Sequence, residues 1–144
     1  MSNLEFSINL PASADKLMKA ATSFEDYPKY LESSIKSVKI LEKNDSETIT
    51  EEVFTFRSIF DHELTQKSKH TVIGENKLHT EVIFGPFKGT IVEVTFEKMD
   101  SGTKVNVKAD YEISLKYKII SPIIKQKYRI ILTGLLYKMN SQFM

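Results

Sequence analysis

The chain has 144 residues, 41% of them hydrophobic and 27% charged, and a net charge of +1. That length can bury one continuous core, and a disordered chain would need lower hydrophobicity or a larger net charge. There is no cysteine, so disulfides, thiolate metal sites and cysteine nucleophiles are excluded. Charge is unevenly spread: residues 1–112 hold 14 basic and 19 acidic side chains, whereas residues 113–144 hold six basic ones and no acid.

Leu4, Phe6, Ile8 and Leu10 alternate with polar residues, the period of a half-buried strand. Pro11 ends it, and Ser13 can cap a helix through Lys16–Ala21, whose apolar side is Leu17, Met18, Ala20 and Ala21. Phe24 to Leu31 reads as a second short helical piece, with Pro28 near its start. From Ile35 the pattern is strand-like. Strands are expected around Val38 and Ile40, over Thr48–Ile59, Leu64–Ile73 and Leu78–Phe84, and around Val92–Phe96. Asn44-Asp45, Gly74-Glu75-Asn76, Gly85-Pro86 and Asp100-Ser101-Gly102 supply turns. In the last strand Val105, Val107, Ala109, Tyr111, Ile113, Leu115 and Tyr117 alternate with polar residues, so one face is buried and one wet.

An antiparallel meander of this kind needs a cover for its inner face. Ser121-Pro122 opens a helix of roughly 20 residues, with Gly134 its only breaker. At 100° per residue, Ile120, Ile124, Tyr128, Ile131, Leu135 and Met139 form one stripe, flanked by Leu132 and Phe143. Ile123 and Ile130 lie outside it, which predicts a helix enclosed on more than one side. The charges Lys125, Lys127 and Arg129 at the middle of this apolar window argue against a transmembrane span. The first residues, MSNLEFSINLPAS, lack a secretory pattern, and a cytoplasmic location is expected. With no repeat or linker, residues 1–144 are expected to form a single domain.

Strand, two helices, six strands and a long helix is an α+β order that resembles the START/Bet v 1-like (SRPBCC) superfamily, whose helix-grip fold wraps a curved antiparallel sheet of about seven strands around a C-terminal helix. The chain is most similar to the polyketide cyclase/dehydrase branch, which includes coenzyme Q-binding-like proteins. FEDYPKYLESSIKSVKIL (Phe24 to Leu41) and FGPFKGTIVEVTFEKMDSGTKVNVKADYEI (Phe84 to Ile113) carry the likeness. Val92 and Val94 stand where the family often has Trp. The resemblance implies a ligand-binding cavity between sheet and C-terminal helix for a lipid-like, quinone or polycyclic molecule. It does not imply catalysis, since the superfamily mixes enzymes with carriers.

The residues expected at that cavity are Tyr27, Tyr30, Phe54, Phe56, His70, Thr80, Val82, Phe84, Val92, Val94, Phe96, Val107, Ala109, Tyr111, Ile113, Ile124, Tyr128, Ile131 and Leu135. Phe87 is a further aromatic that can line a pocket, and the hydroxyls of Tyr111, Tyr117 and Tyr128 can orient a carbonyl or quinone oxygen. Of the histidines His62, His70 and His79, His70 is the candidate for acid–base work. A three-residue turn at Gly74–Asn76 sets His70 opposite Thr80 and Val72 opposite Leu78. It puts Leu64, Gln66, Ser68, His70 and Val72 inside and leaves Lys67 and Lys69 in water; a two-residue turn would send His70 outward. Glu51 and Glu52 are adjacent and face opposite ways on a strand, so they are not a carboxylate pair. No metal site, phosphate loop or nucleophile elbow is present in the pattern, and no cofactor is implied.

The leading expectation is a non-enzymatic carrier or sensor of a hydrophobic small molecule. A cyclase/dehydratase acting on a polyketide-like substrate is the alternative, with His70 or a tyrosine moving protons. A third reading has Lys118, Lys125 and Arg129 on the basic tail meet an anionic partner such as ribosomal RNA. DNA is not an expected partner.

Overall fold

The computed structural model describes residues 2–55, 63–113 and 121–143. Strand β1 (Ser2–Leu10) is followed by helix α1 (Ala14–Ala21), a 3-10 turn (Phe24–Asp26) and the short helix α2 (Tyr27–Tyr30). Strands β2 (Ile35–Lys43), β3 (Glu47–Phe54), β4 (Leu64–Ile73), β5 (Lys77–Phe84), β6 (Ile91–Met99) and β7 (Gly102–Tyr111) precede the long helix α3 (Ser121–Ser141). The strands form one antiparallel sheet in the order β1-β7-β6-β5-β4-β3-β2. This is the helix-grip architecture anticipated above.

The local rules that predicted the elements operate here. Ser13 accepts from the Lys16 amide at 3.3 Å as the α1 cap, satisfying one of the free donors of the first turn. Its apolar side packs Leu17, Met18, Ala20 and Ala21 into the core with Phe96, Val105, Val107, Leu135, Leu136 and Met139. Gly102 turns the β6–β7 hairpin at φ +135°, and a Cβ there would meet the Leu10 carbonyl at 2.3 Å. Gly134 has a different use: a Cβ would lie 3.1 Å from Leu31, so glycine lets the segment after α2 approach α3 closely.

Buried polar groups tie α3 to the start of the chain. Asn140 accepts from the Ala12 amide at 2.9 Å, and Thr103 donates to the Ala12 carbonyl at 2.7 Å. Both backbone groups of this connection would otherwise be buried without partners.

Three expectations are corrected or fall elsewhere. Ile123 and Ile130 are 48% and 57% exposed, so α3 is not enclosed on a second side. The sheet and α2 cover only part of its circumference. Val72, expected inside, is also exposed, because it lies near the hairpin end of β4. The extensions of β3 to Ile59 and of β7 to Leu115 and Tyr117, together with Phe56, His62, Lys118 and Ile120, lie outside the described residues.

Candidate functional site

Between the inner face of the sheet and α3 lies a cavity of about 160 Å³, partly open to solvent. Its walls are apolar: Val38, Phe54, Leu78, Val82, Phe87, Val92, Val94 and Phe96 from the sheet and its loops, and Ile131, Leu132, Leu135, Leu136 and Met139 from α3. The volume is about that of a cavity that takes a small aromatic molecule.

One wall is different. Register places Thr48, Thr50 and Glu52 of β3 opposite His70, Ser68 and Gln66 of β4, and His70 opposite Thr80 of β5. The three-residue turn after Ile73 therefore has the register predicted for it, and Val72 faces Leu78. Glu52, Gln66, Ser68, His70 and Thr80 all reach the cavity wall.

These side chains form a directional chain. The Thr50 hydroxyl donates to Glu52 Oε1 at 3.2 Å and lies 2.8 Å from His70 Nε2. When Glu52 is ionised and takes the Thr50 proton, Thr50 accepts from Nε2–H of the neutral ring. That assigns the His70 tautomer and leaves Nδ1 to accept from the Thr80 hydroxyl at 2.8 Å. On the other carboxyl oxygen, Ser68 donates to Oε2 at 3.0 Å and itself accepts from Gln66 at 3.4 Å.

Electrostatics separates the two titratable members. Burial lowers His70 to about 4, so at neutral pH the ring is uncharged. It stacks on Phe24 at 4.0 Å between centroids. Its Nε2 lies 3.9 Å from Glu52 Oε1, but a neutral ring bonded to Thr50 makes no ion pair at that distance. Burial pushes the Glu52 carboxyl up to about 7, against the hydrogen bonds from Ser68, Thr50 and Gln66. Glu52, not His70, is the group whose proton is in play near neutral pH.

Of the residues expected at the cavity, Tyr27, Phe54, His70, Thr80, Val82, Val92, Val94, Phe96, Tyr128, Ile131 and Leu135 are brought together around it. Tyr27 presents its ring, because its hydroxyl donates to the Ala21 carbonyl. Burial, reinforced by the Glu52 charge, raises both the Tyr27 and Tyr128 phenols, which stay protonated. Tyr30 instead accepts from Gln142 beyond the end of α3. Val107, Ala109, Tyr111 and Ile113 are buried but do not line the cavity. Val107 is packed in the core with α1, and Tyr111 lies against Phe87 and the Tyr128 ring. Phe84 is 53% exposed. A bulge between Lys67 and Ser68 pairs Phe84 with the outward-facing Lys67, whose ammonium lies 5.2 Å from its ring. The Ile124 side chain and Phe56 lie outside the description.

Sequence reasoning missed Glu52, Gln66 and Ser68 as a unit, along with Ile35, Val38 and the α3 residue Lys127, whereas Phe87 lines the cavity as expected. A signal for Glu52 existed: it is two residues before Phe54, which was expected inside. His79 pairs across strands with Glu93 at 2.9 Å, away from the cavity. Among the described residues no cluster of three or more His, Cys, Asp or Glu side chains is suited to a metal, and no helix is long and apolar enough to cross a membrane.

Solved structures share this architecture at low identity. TTHA0849 from Thermus thermophilus superposes with a TM-score of 0.81 at 15% identity, covering 98% of this chain and 99% of that one. The Zhui aromatase/cyclase from Streptomyces sp. R1128 gives 0.81 at 11%, covering 99% and 96%. A START superfamily protein from Mycobacterium smegmatis gives 0.80 at 18%, covering 97% and 95%. These likenesses concern the fold. No curated protein matches by sequence. The profile described as "Polyketide cyclase / dehydrase and lipid transport" matches residues 10–139, from the end of β1 almost to the end of α3, and the chain belongs to that family.

Proposed function

We propose that the protein binds a hydrophobic small molecule, of lipid, quinone or polyketide-like character, in the cavity between sheet and α3, and acts as its carrier or sensor. The observation that carries this is the cavity itself: about 160 Å³ walled by aliphatic and aromatic side chains. Natural cores rarely leave such a space unfilled. The range of the family, cyclase/dehydrase and lipid transport, is consistent with this use. Mass spectrometry of natively purified protein, followed by titration of quinones, fatty acids and fused-ring aromatics, tests the reading. A bound apolar molecule, or saturable binding of one of these classes, is expected; no binding by any class overturns it.

One observation favours a second reading, a dehydratase-type enzyme. A carboxyl held at about 7 beside the cavity can both take and return a proton at neutral pH. Loss of water from a β-hydroxy ketone needs this: a base removes the α-proton and the acid so formed protonates the departing hydroxyl. Conversion to the enone by the wild type, abolished in Glu52→Gln, would establish it, and no conversion removes it. The anionic-partner reading keeps only Lys125 and Arg129 among its described residues, both exposed. Arg129 also lies 5.2 Å from the Phe6 ring. Retention on an RNA matrix that does not fall with salt would remove it.

A further inference from the structure

The polar wall is an unusual expense in an otherwise apolar cavity. Glu52 is 7% exposed and, among the described residues, its one basic neighbour within 4 Å is His70, which burial keeps neutral. A buried carboxylate without a cation is costly. Replacing it by an apolar residue of similar size would relieve that cost, as would supplying a lysine.

Hydrogen-bond capacity shows what the group has to spare. A carboxylate accepts about four hydrogen bonds. Glu52 receives one on Oε1, from Thr50, and one on Oε2, from Ser68, and the Gln66 amide beside it also favours its charged form. His70 has no spare capacity, since both ring nitrogens are occupied by Thr50 and Thr80. The Tyr27 hydroxyl is committed to the Ala21 carbonyl. Glu52 therefore combines access to the cavity with acceptor capacity that the Thr50 and Ser68 bonds do not fill, while those two hydroxyls hold its oxygens in place. Among the described residues, Lys127 of α3 is the cation lining the same cavity.

We infer that Glu52, oriented by Thr50 and Ser68, is a recognition group for the ligand's polar end, and that the ligand is an apolar molecule whose single polar head donates a hydrogen bond. A hydroxyl or phenol fits best, and a protonated amine shares the same chemistry. A carboxylate head is disfavoured at this wall, because it would set a second anion beside Glu52 in low dielectric. An ether or ester head offers Glu52 nothing to accept. This inference rests on the cavity reading above and specifies its polar end.

The test uses matched probes and the full chain. Binding of 2-naphthol, 2-methoxynaphthalene, 2-(aminomethyl)naphthalene and 2-naphthoate is measured by calorimetry at pH 8, where Glu52 is mainly ionised. The alcohol or the amine is expected to bind about 10-fold or more tighter than the ether, the worth of one hydrogen bond to a charged acceptor. Which of the two wins separates a hydroxyl head from an ammonium head. In Glu52→Gln the preference should shrink to about 2-fold, with ether binding retained. The wild-type comparison stands even if that variant does not fold. Equal binding of alcohol, amine and ether, or tightest binding of the naphthoate, overturns the inference while leaving the cavity reading intact. Absence of binding by all four overturns both.

Discussion

The ionisation of Glu52 has a consequence for stability that can be measured without any ligand. In the unfolded chain its carboxyl has the ordinary value of 4.5, and in the folded protein burial raises it to about 7. The folded state therefore holds this proton more tightly, and its contribution to stability is greatest below 4.5 and is lost as pH climbs through about 7. The difference corresponds to about 3 kcal/mol. His70 acts in the opposite sense. Its value falls from 6.5 to about 4 on folding, so stability is lost as pH falls from 6.5 towards 4, again by about 3 kcal/mol. Between pH 4.5 and 6.5 the two slopes nearly cancel in the wild type. Removing either one exposes the other. Glu52→Gln should gain stability relative to wild type as pH rises from 5 to 8, by up to about 3 kcal/mol, while His70→Gln should lose it over the pH range 5 to 7. Urea denaturation at half-unit pH steps reads all three proteins, and contributions from the other carboxylates cancel in the differences. Parallel profiles for wild type and Glu52→Gln from pH 5 to 8 would refute the claim that Glu52 is buried without a compensating charge.

Other perturbations test the frame around the site. Asn140→Ala leaves the Ala12 amide (2.9 Å from Asn140 Oδ1) without its partner and should cost about 1–3 kcal/mol in chemical denaturation. Gly102→Ala puts a Cβ 2.3 Å from the Leu10 carbonyl at φ +135°, so at least about 2 kcal/mol should be lost, seen as a lowered Tm. Ile131→Phe adds bulk to a cavity of about 160 Å³ and should weaken binding of 2-naphthol about 10-fold or more with the Tm unchanged or raised. Undiminished binding in that variant would place the probe elsewhere.

Much of the fold was legible because its signals are local. Ser13 caps α1, and the Gly74–Asn76 turn sets the register that brings His70 inside, a conclusion that needed only the rule that lysines stay in water. The site was less legible. On β3 the apolar residues Ile49 and Val53 alternate with Thr48, Thr50 and Glu52, yet the polar set is the buried one. Hydrophobic alternation read alone would turn this strand over. What buries Glu52 is its pairing with Gln66 and the continuity of the β4 inner face, a relation between residues 14 apart in sequence. Phe84 failed for a related reason: Val82 pairs with Ser68 and Phe84 with Lys67, so Ile83 is an extra residue in β5, and a bulge is not visible in the alternation of the strand alone.

The sequence by itself determined the element order, the turns, the amphipathic period of each strand and the family, because each depends on residues close together in the chain or on their linear order. Only the tertiary structure decided which faces meet. Ile123 and Ile130 lie in solvent because the sheet covers one side of α3 alone, and Val107, Ala109, Tyr111 and Ile113 are packed solid, with the space left beside β3, β4 and β5 instead. Above all, Glu52, which the sequence showed only as one of two adjacent glutamates facing opposite ways, became a buried carboxyl in the cavity wall. Burial and hydrogen-bond partners are properties of the assembled layers, and a strand has no inside until something covers it.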